Sequence, residues 1–152
     1  MQHRRFAHSR ALATPLRSSG DGAVSESLRE ILFLAAGGAA GTLCRYWASL
    51  AALRTLGPRF AFGTLAVNVV GCFLIGFLMH WLDASAASSR ALRLALTTGF
   101  LGGFTTFSAF GYETVRYLET GKPGLALANV LSNVVIGVAA TYGGLALGRA
   151  AI

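Results

Sequence analysis

Four apolar runs follow one another along the chain, each about as long as a bilayer's hydrocarbon core is thick. The first, ILFLAAGGAAGTLCRYWASLAAL, extends from Ile31 to about Leu53. The second, FGTLAVNVVGCFLIGFLMHWL, covers Phe62 to Leu82, and the third runs from about Leu92 to Leu118. The fourth, GLALANVLSNVVIGVAATYGGLAL, covers Gly124 to about Leu147. The connectors RTLGPRFA, DASAASSRA and ETGKP are short and carry turn or breaker residues. This pattern predicts an all-α integral membrane fold of four transmembrane helices, packed as an antiparallel bundle with both ends on one side.

Residues 1–28 do not share the pattern. They are rich in Arg, Ser and Ala, with no acidic residue before Asp21. The composition resembles a transit peptide, and a disordered basic tail fits it equally well. The expected organisation is a basic tail over 1–28 and a four-span membrane domain over 29–152. A cleaved secretory signal does not fit, because the next apolar run has full span length and contains Arg45.

Composition supports a lipid environment. Of 152 residues, 54% are hydrophobic and only 12% are charged, against about 25% charged in an ordinary soluble domain. The 19 glycines suit close helix approach. The net charge of +7 raises nucleic acid as a partner, but no basic stripe lies on a soluble fold. Arginines flanking spans set orientation or touch lipid headgroups. Arg29, Arg90, Arg93 and Arg149 fall on one side, and Arg54, Arg59, Arg116 and Lys122 on the other. Only the distal Arg4, Arg5, Arg10 and Arg17 tip that balance. A near-zero bias permits insertion both ways, and with it an antiparallel homodimer; a single orientation set by the tail is the alternative. Cys44 and Cys72 lie in apolar stretches without metal spacing and read as small hydrophobes.

The stretch TTGFLGGFTTFSAFGYET, Thr97 to Thr114, departs from a plain span. It carries four Gly, five Thr and one Ser among five aromatic rings. Gly99, Gly102, Gly103, Thr105 and Thr106 crowd the predicted membrane midpoint, so the third helix is expected to break there. A break is tolerated in a membrane only where the freed backbone groups find partners in protein or a wet cavity. Such breaks place carbonyls and helix N-termini where ions bind. Carbonyls there suit a hard cation such as Na⁺, and a helix restarting with Thr105 or Thr106 as cap favours an anion. A glycine-rich packing helix is the plainer reading.

Intramembrane polar residues are functional candidates by default. Gly37, Gly41 and Arg45 share a face of the first span. Asn68 sits in the middle of the second span, with Thr64 a turn before and Cys72 a turn after. Its amide is either interhelical glue or a two-hydrogen donor to an anion. Asn129, Asn133, Gly137 and Thr141 make a stripe on the fourth span. Phe107 and Phe110 share a face with Ser108 between them, followed by Glu113 toward the end of the span. Their ring edges carry positive potential and could replace water around a small anion without a fixed charge, which would release an ion slowly. The chain has no GxSxG, HExxH or Walker A motif, so no enzyme is expected. His80 beside Trp81 reads as an interfacial anchor.

These residues resemble the Fluc (CrcB) family of fluoride channels over about residues 30–148. The resemblance rests on GGAAGTLCRYW (37–47), GTLAVNVVGCFLIG (63–76) and above all TTGFLGGFTTFSAFGYE (97–113), with weaker support from NVLSNVVIG (129–137). It implies a dual-topology antiparallel homodimer in the plasma (inner) membrane, with two pores that export fluoride passively and relieve its toxicity. By the family pattern, Asn68 lines the pathway with Phe107, Phe110, Ser108 and Thr106. Arg45 and Glu113 lie toward the vestibules. Gly102 and Thr105 offer backbone carbonyls to a structural Na⁺. One departure is visible: the family usually has Thr where this chain has Ala109, so one hydroxyl of the polar track is missing. Two other readings compete. A small multidrug-resistance-type, proton-coupled cation exporter needs a carboxylate deep in the membrane, and the first span has none. A scaffold packed through glycines would carry no ion and would tolerate loss of the Asn68 amide.

Overall fold

The computed structural model describes residues 19–84 and 89–151, with side chains from Val24 onward. Of the expected tail, residues 1–18 lie outside the described residues. Ser19 onward continues the first helix without interruption.

Every element among the described residues is helical. Helix α1 is Ser19–Leu56 and α2 is Phe62–Ala84. The third segment is composite: α3 (Arg90–Leu94), a π-helical stretch (Ala95–Leu101), α4 (Gly102–Phe104), then α5 (Phe107–Glu119). The fourth combines α6 (Pro123–Leu131), a π-helical turn (Ser132–Ile136) and α7 (Gly137–Ala151). Three stretches are long and apolar enough to cross a membrane: Val24–Leu56, Phe62–Ala84 and Pro123–Ala151.

The helix ends follow local chemistry. Gly57 and Gly121, with φ of +76° and +68°, take the left-handed conformation that ends α1 and α5. At α5 the Lys122 amide reaches back to the Tyr117 carbonyl at 2.8 Å and the Gly121 amide to Leu118 at 3.0 Å, closing the turn. Ser89 caps α3 by accepting from the Leu92 amide at 3.2 Å. Pro123 opens α6, where a missing amide hydrogen costs nothing. Arg93, in the last turn of α3, ties it to the end of α2, donating to Asp83 at 2.9 Å and to the Leu82 carbonyl. Arg90 pairs with Glu30 of α1 at 3.2 Å.

Glycines set how close the helices come. On α1, Gly37 abuts the Ala95 carbonyl and Gly41 the Phe100 carbonyl, with no room for a Cβ at either. Both chains advance in the same sense, so α1 and the third segment are parallel. Gly76 meets the Thr141 carbonyl, and Gly148 lies near Phe77 and His80, so α2 and α7 are parallel too. In lipid this backbone approach supplies van der Waals contact where the hydrophobic effect between helices is absent.

The fully buried apolar set is small, headed by Val67 and Leu82. Large apolar side chains instead face outward, among them Leu32, Trp47, Val135 and Tyr142. That inside-out distribution fits a protein whose outer solvent is hydrocarbon.

Candidate functional site

The third segment loses helical geometry at two residues. Thr105 (φ −83°, ψ 160°) and Thr106 (φ −151°, ψ 107°) are extended, and α5 restarts at Phe107. The amides and carbonyls of both threonines have partners outside a regular helical ladder or at its end. The Thr105 amide closes α4 on the Leu101 carbonyl at 2.9 Å, and its hydroxyl reaches the same oxygen at 3.0 Å. The Thr105 carbonyl accepts from Arg45 Nη1 at 3.3 Å. The Thr106 amide donates to Asn68 Oδ1 at 2.8 Å, and the Thr106 carbonyl accepts from Asn68 Nδ2 at 3.2 Å. Thr106 Oγ1 caps α5, accepting from the Ala109 amide at 3.2 Å. Of the two threonines, Thr106 is therefore the cap.

Asn68 thus meets the interrupted backbone as a neighbouring strand would, accepting at one atom and donating at the other. It stands on α2, one turn after the buried Thr64 and one turn before Gly71. A Cβ on Gly71 would strike the methyl group of Thr105, so a larger residue would push the break away from α2. The diversion of the Thr106 amide has a second effect. In a continuous helix that amide would bond the Gly102 carbonyl; here it is given to Asn68, and the Gly102 oxygen is released.

Two cavities flank this point. A cavity of about 460 Å³ is lined by Asn68, Gly102, Thr105, Phe107, Phe110 and Asn133, among others. The Phe107 and Phe110 rings lie 5.3 Å apart, tilted by 53°, and Phe107 is 83% exposed. A larger cavity, about 790 Å³, is lined by Arg45, Thr106, Ala109, Glu113 and Arg116, with Tyr46, Tyr112 and Tyr117 on its walls. The break separates the two: Thr105 borders one and Thr106 the other.

Of the residues singled out in the sequence, Asn68, Phe107 and Phe110 share the smaller cavity with Gly102 and Thr105. Thr106, Arg45 and Glu113 share the larger one. Ser108 borders neither; it is exposed, with its hydroxyl 3.3 Å from Thr106 Oγ1. Glu113 is held by α2, with Thr64 Oγ1 donating to its Oε1 at 2.7 Å. Its Oε2 is buried and has no hydrogen-bond partner among the described residues.

A chain of amides behind Asn68 was not singled out as site residues. Asn68 Nδ2 donates to Asn133 Oδ1 at 3.0 Å. Asn133 Nδ2 donates to the Oδ1 and main-chain oxygen of Asn129 at 3.1 and 3.0 Å. Asn129 is fully buried and donates to Thr114 Oγ1 at 2.9 Å. The Thr114 hydroxyl bonds the Phe110 carbonyl at 2.8 Å. The four-residue spacing of Asn129 and Asn133 was the available signal, but spacing alone does not say which helix they face. Among the described residues no three His, Cys, Asp or Glu side chains gather as a metal site. Oxygen donors near the break include the Thr105 and Thr106 carbonyls beside the threonine hydroxyls and Asn68 Oδ1.

Apolar outward faces, a helix interrupted beside an intramembrane asparagine and a cavity on each side of the break define a polytopic membrane protein. Residues 32–145 match the family described as "CrcB-like protein, Camphor Resistance (CrcB)". A protein of Dehalococcoides mccartyi, named fluoride-specific ion channel FluC, is 46% identical over 119 residues, 78% of this chain and 92% of its own length. Proteins of the same name from Citrifermentans bemidjiense and Agrobacterium fabrum are also 46% identical, over 123 and 119 residues. These alignments cover 99% and 95% of those relatives and 81% and 78% of this chain. The chain belongs to the CrcB family.

Proposed function

We propose that this protein is a fluoride-selective channel that lets fluoride leave the cell passively and so relieves its toxicity. The relatives' shared name supports this reading. So does the observation that carries it physically: Asn68, Phe107 and Phe110 line one cavity beside the helix break. An N–H donor and positive ring edges receive a small anion without a full charge, which permits entry and quick release. Arg45, one cavity away, attracts anions from a distance instead. Nothing in this set performs covalent chemistry, and an enzyme is not expected. The proton-coupled exporter is not favoured, since Glu113 borders the larger cavity and is committed to Thr64.

The functional unit is an antiparallel, dual-topology homodimer in the plasma (inner) membrane, with the helix break near mid-membrane and two fluoride routes. Supporting this are the balanced flanking charge and the smaller cavity's open side, where Phe107 stands exposed. Gly102 and Thr105 fit a structural Na⁺ in their chemistry. Both border one cavity, the Gly102 carbonyl has lost its helical donor, and hard oxygen donors suit a hard cation. The Thr105 carbonyl is shared with Arg45 and has a second lone pair. When bound, the ion would pin the two carbonyls and hold the break open.

Expression in a bacterial strain that lacks fluoride export tests the function in cells. Growth in fluoride medium is expected to recover with the natural chain and not with Asn68→Ala. No recovery from well-expressed natural protein would contradict the proposal.

A further inference from the structure

The Asn68 amide has no spare hydrogen. Thr106 Oγ1 aside, the Thr106 backbone takes both of its polar edges, and Asn133 Oδ1 takes the second N–H at 3.0 Å. The orientation is forced. A backbone amide can only donate, so Asn68 Oδ1 must face the Thr106 N–H, which leaves Nδ2 to donate to the Thr106 carbonyl and to Asn133. The Asn133 oxygen must then face Asn68, and its Nδ2 must face Asn129. The result is a one-way chain of donors from Thr106 to the Phe110 carbonyl, which begins and ends on the same stretch of backbone.

An anion that is to bond Asn68 therefore has to displace something. The Thr106 carbonyl is part of the backbone at the break, and Asn68 holds the amide of the same residue as well. Asn133 Oδ1 is the end of a rotatable side chain, and it borders the same cavity as Asn68, Phe107 and Phe110. It also lies in the π-helical turn Ser132–Ile136 of the fourth segment. Single π turns insert a residue into a helix and re-aim its side chains, and they concentrate at functional sites.

We propose that Asn133 is a positioning residue whose side-chain oxygen holds the Asn68 donor between ions and exchanges with the passing anion. This rests on the reading that Asn68 lines a fluoride route. The exchange keeps a half-buried donor from standing bare, which would cost free energy in an empty channel. It also makes anion binding shallow, because each bond to the ion replaces one already present. Shallow binding is what throughput requires. Asn129, fully buried behind Asn133, supplies the acceptors that keep the Asn133 amide from flipping.

Single-channel recording in planar bilayers, across a series of fluoride concentrations, reads this directly because only conducting channels are counted. In Asn133→Leu the Asn68 donor has lost its exchange partner, so fluoride is held more tightly. Half-saturation is expected to move about tenfold lower, one hydrogen bond's worth, and maximal conductance to fall with it. Asn133→Ala is expected to behave the same way, should the leucine variant fail to fold. Asn133→Ser, which keeps an acceptor, is expected to restore both values toward those of the natural chain. Unchanged values in the leucine and alanine variants would overturn the proposal. So would lower conductance with unchanged half-saturation, the signature of a merely structural role. A natural chain that carries no fluoride current would overturn the channel reading itself, and this proposal with it.

Discussion

Asn68 and Thr106 are joined by two antiparallel hydrogen bonds, 2.8 Å from the Thr106 amide and 3.2 Å to its carbonyl. One side chain on α2 thereby satisfies both backbone groups of the residue at which the third segment leaves helical geometry. Asn68→Ala leaves both groups without that partner. Each unmet buried polar group costs about 1–3 kcal/mol, so a clear drop in the detergent-solubilised protein's melting temperature is expected along with loss of fluoride flux. Asn68→Ala protein that melts like the natural chain would show that the clasp does not hold the break.

Arg45 reaches the Thr105 carbonyl at 3.3 Å from the wall of the larger cavity. Its charge acts on anions at long range, and salt screens such action within about 10 Å at 0.1 M. Arg45→Gln retains a donor for the carbonyl and removes the charge. Fluoride conductance is expected to fall several-fold at low ionic strength and to approach that of the natural chain at high salt. A deficit independent of salt would point to the carbonyl bond instead.

Two glycines give opposite expectations. Gly144 lies against the Phe73 carbonyl with no room for a Cβ, whereas a Cβ on Gly102 meets nothing within 4 Å in the single chain. Gly144→Ala is expected to destabilise the protomer by about 1–3 kcal/mol, as overpacking does. If the proposed homodimer forms through this face, Gly102→Leu is expected to leave the protomer folded and to shift it from dimer to monomer, read by light scattering during size-exclusion chromatography. A Gly102→Leu variant that stays dimeric would place the partner's surface elsewhere.

Ala109 lines the larger cavity next to Thr106, whose hydroxyl caps its amide. Ala109→Thr adds the hydroxyl that the family resemblance leads one to expect at this position. One added hydrogen bond of about 1 kcal/mol sets a ceiling near fivefold on any gain in flux. Fluoride efflux is expected to rise within that limit, with fluoride still favoured over chloride. A fall would mean that the chain has repacked around the smaller residue.

Much of this was legible in the sequence because the relevant forces are local or set by the bilayer. The apolar runs at 31–53, 62–82, 92–118 and 124–147 correspond to the four segments, since lipid demands span-length hydrophobicity. Gly102, Gly103, Thr105 and Thr106 marked where the third segment changes geometry, because such residues are poor helix interior. The first helix reaches back to Ser19, since Glu26, Leu28 and Arg29 favour helix whether or not lipid surrounds them. The partners of the break were not legible. That Arg45 serves Thr105, that Thr64 serves Glu113 and that Asn133 serves Asn68 depend on how glycines bring α1, α2 and the fourth segment together. Nor were the π-helical stretches Ala95–Leu101 and Ser132–Ile136, which no periodicity in the sequence marks.

The central claim is that this chain passes fluoride and refuses chloride. The most direct measurement uses liposomes holding purified protein and loaded with both anions, with each ion's release followed by its own electrode. Rapid fluoride release with chloride retained is the predicted result. Retention of fluoride by vesicles that contain folded protein, or release of both ions at similar rates, would contradict it.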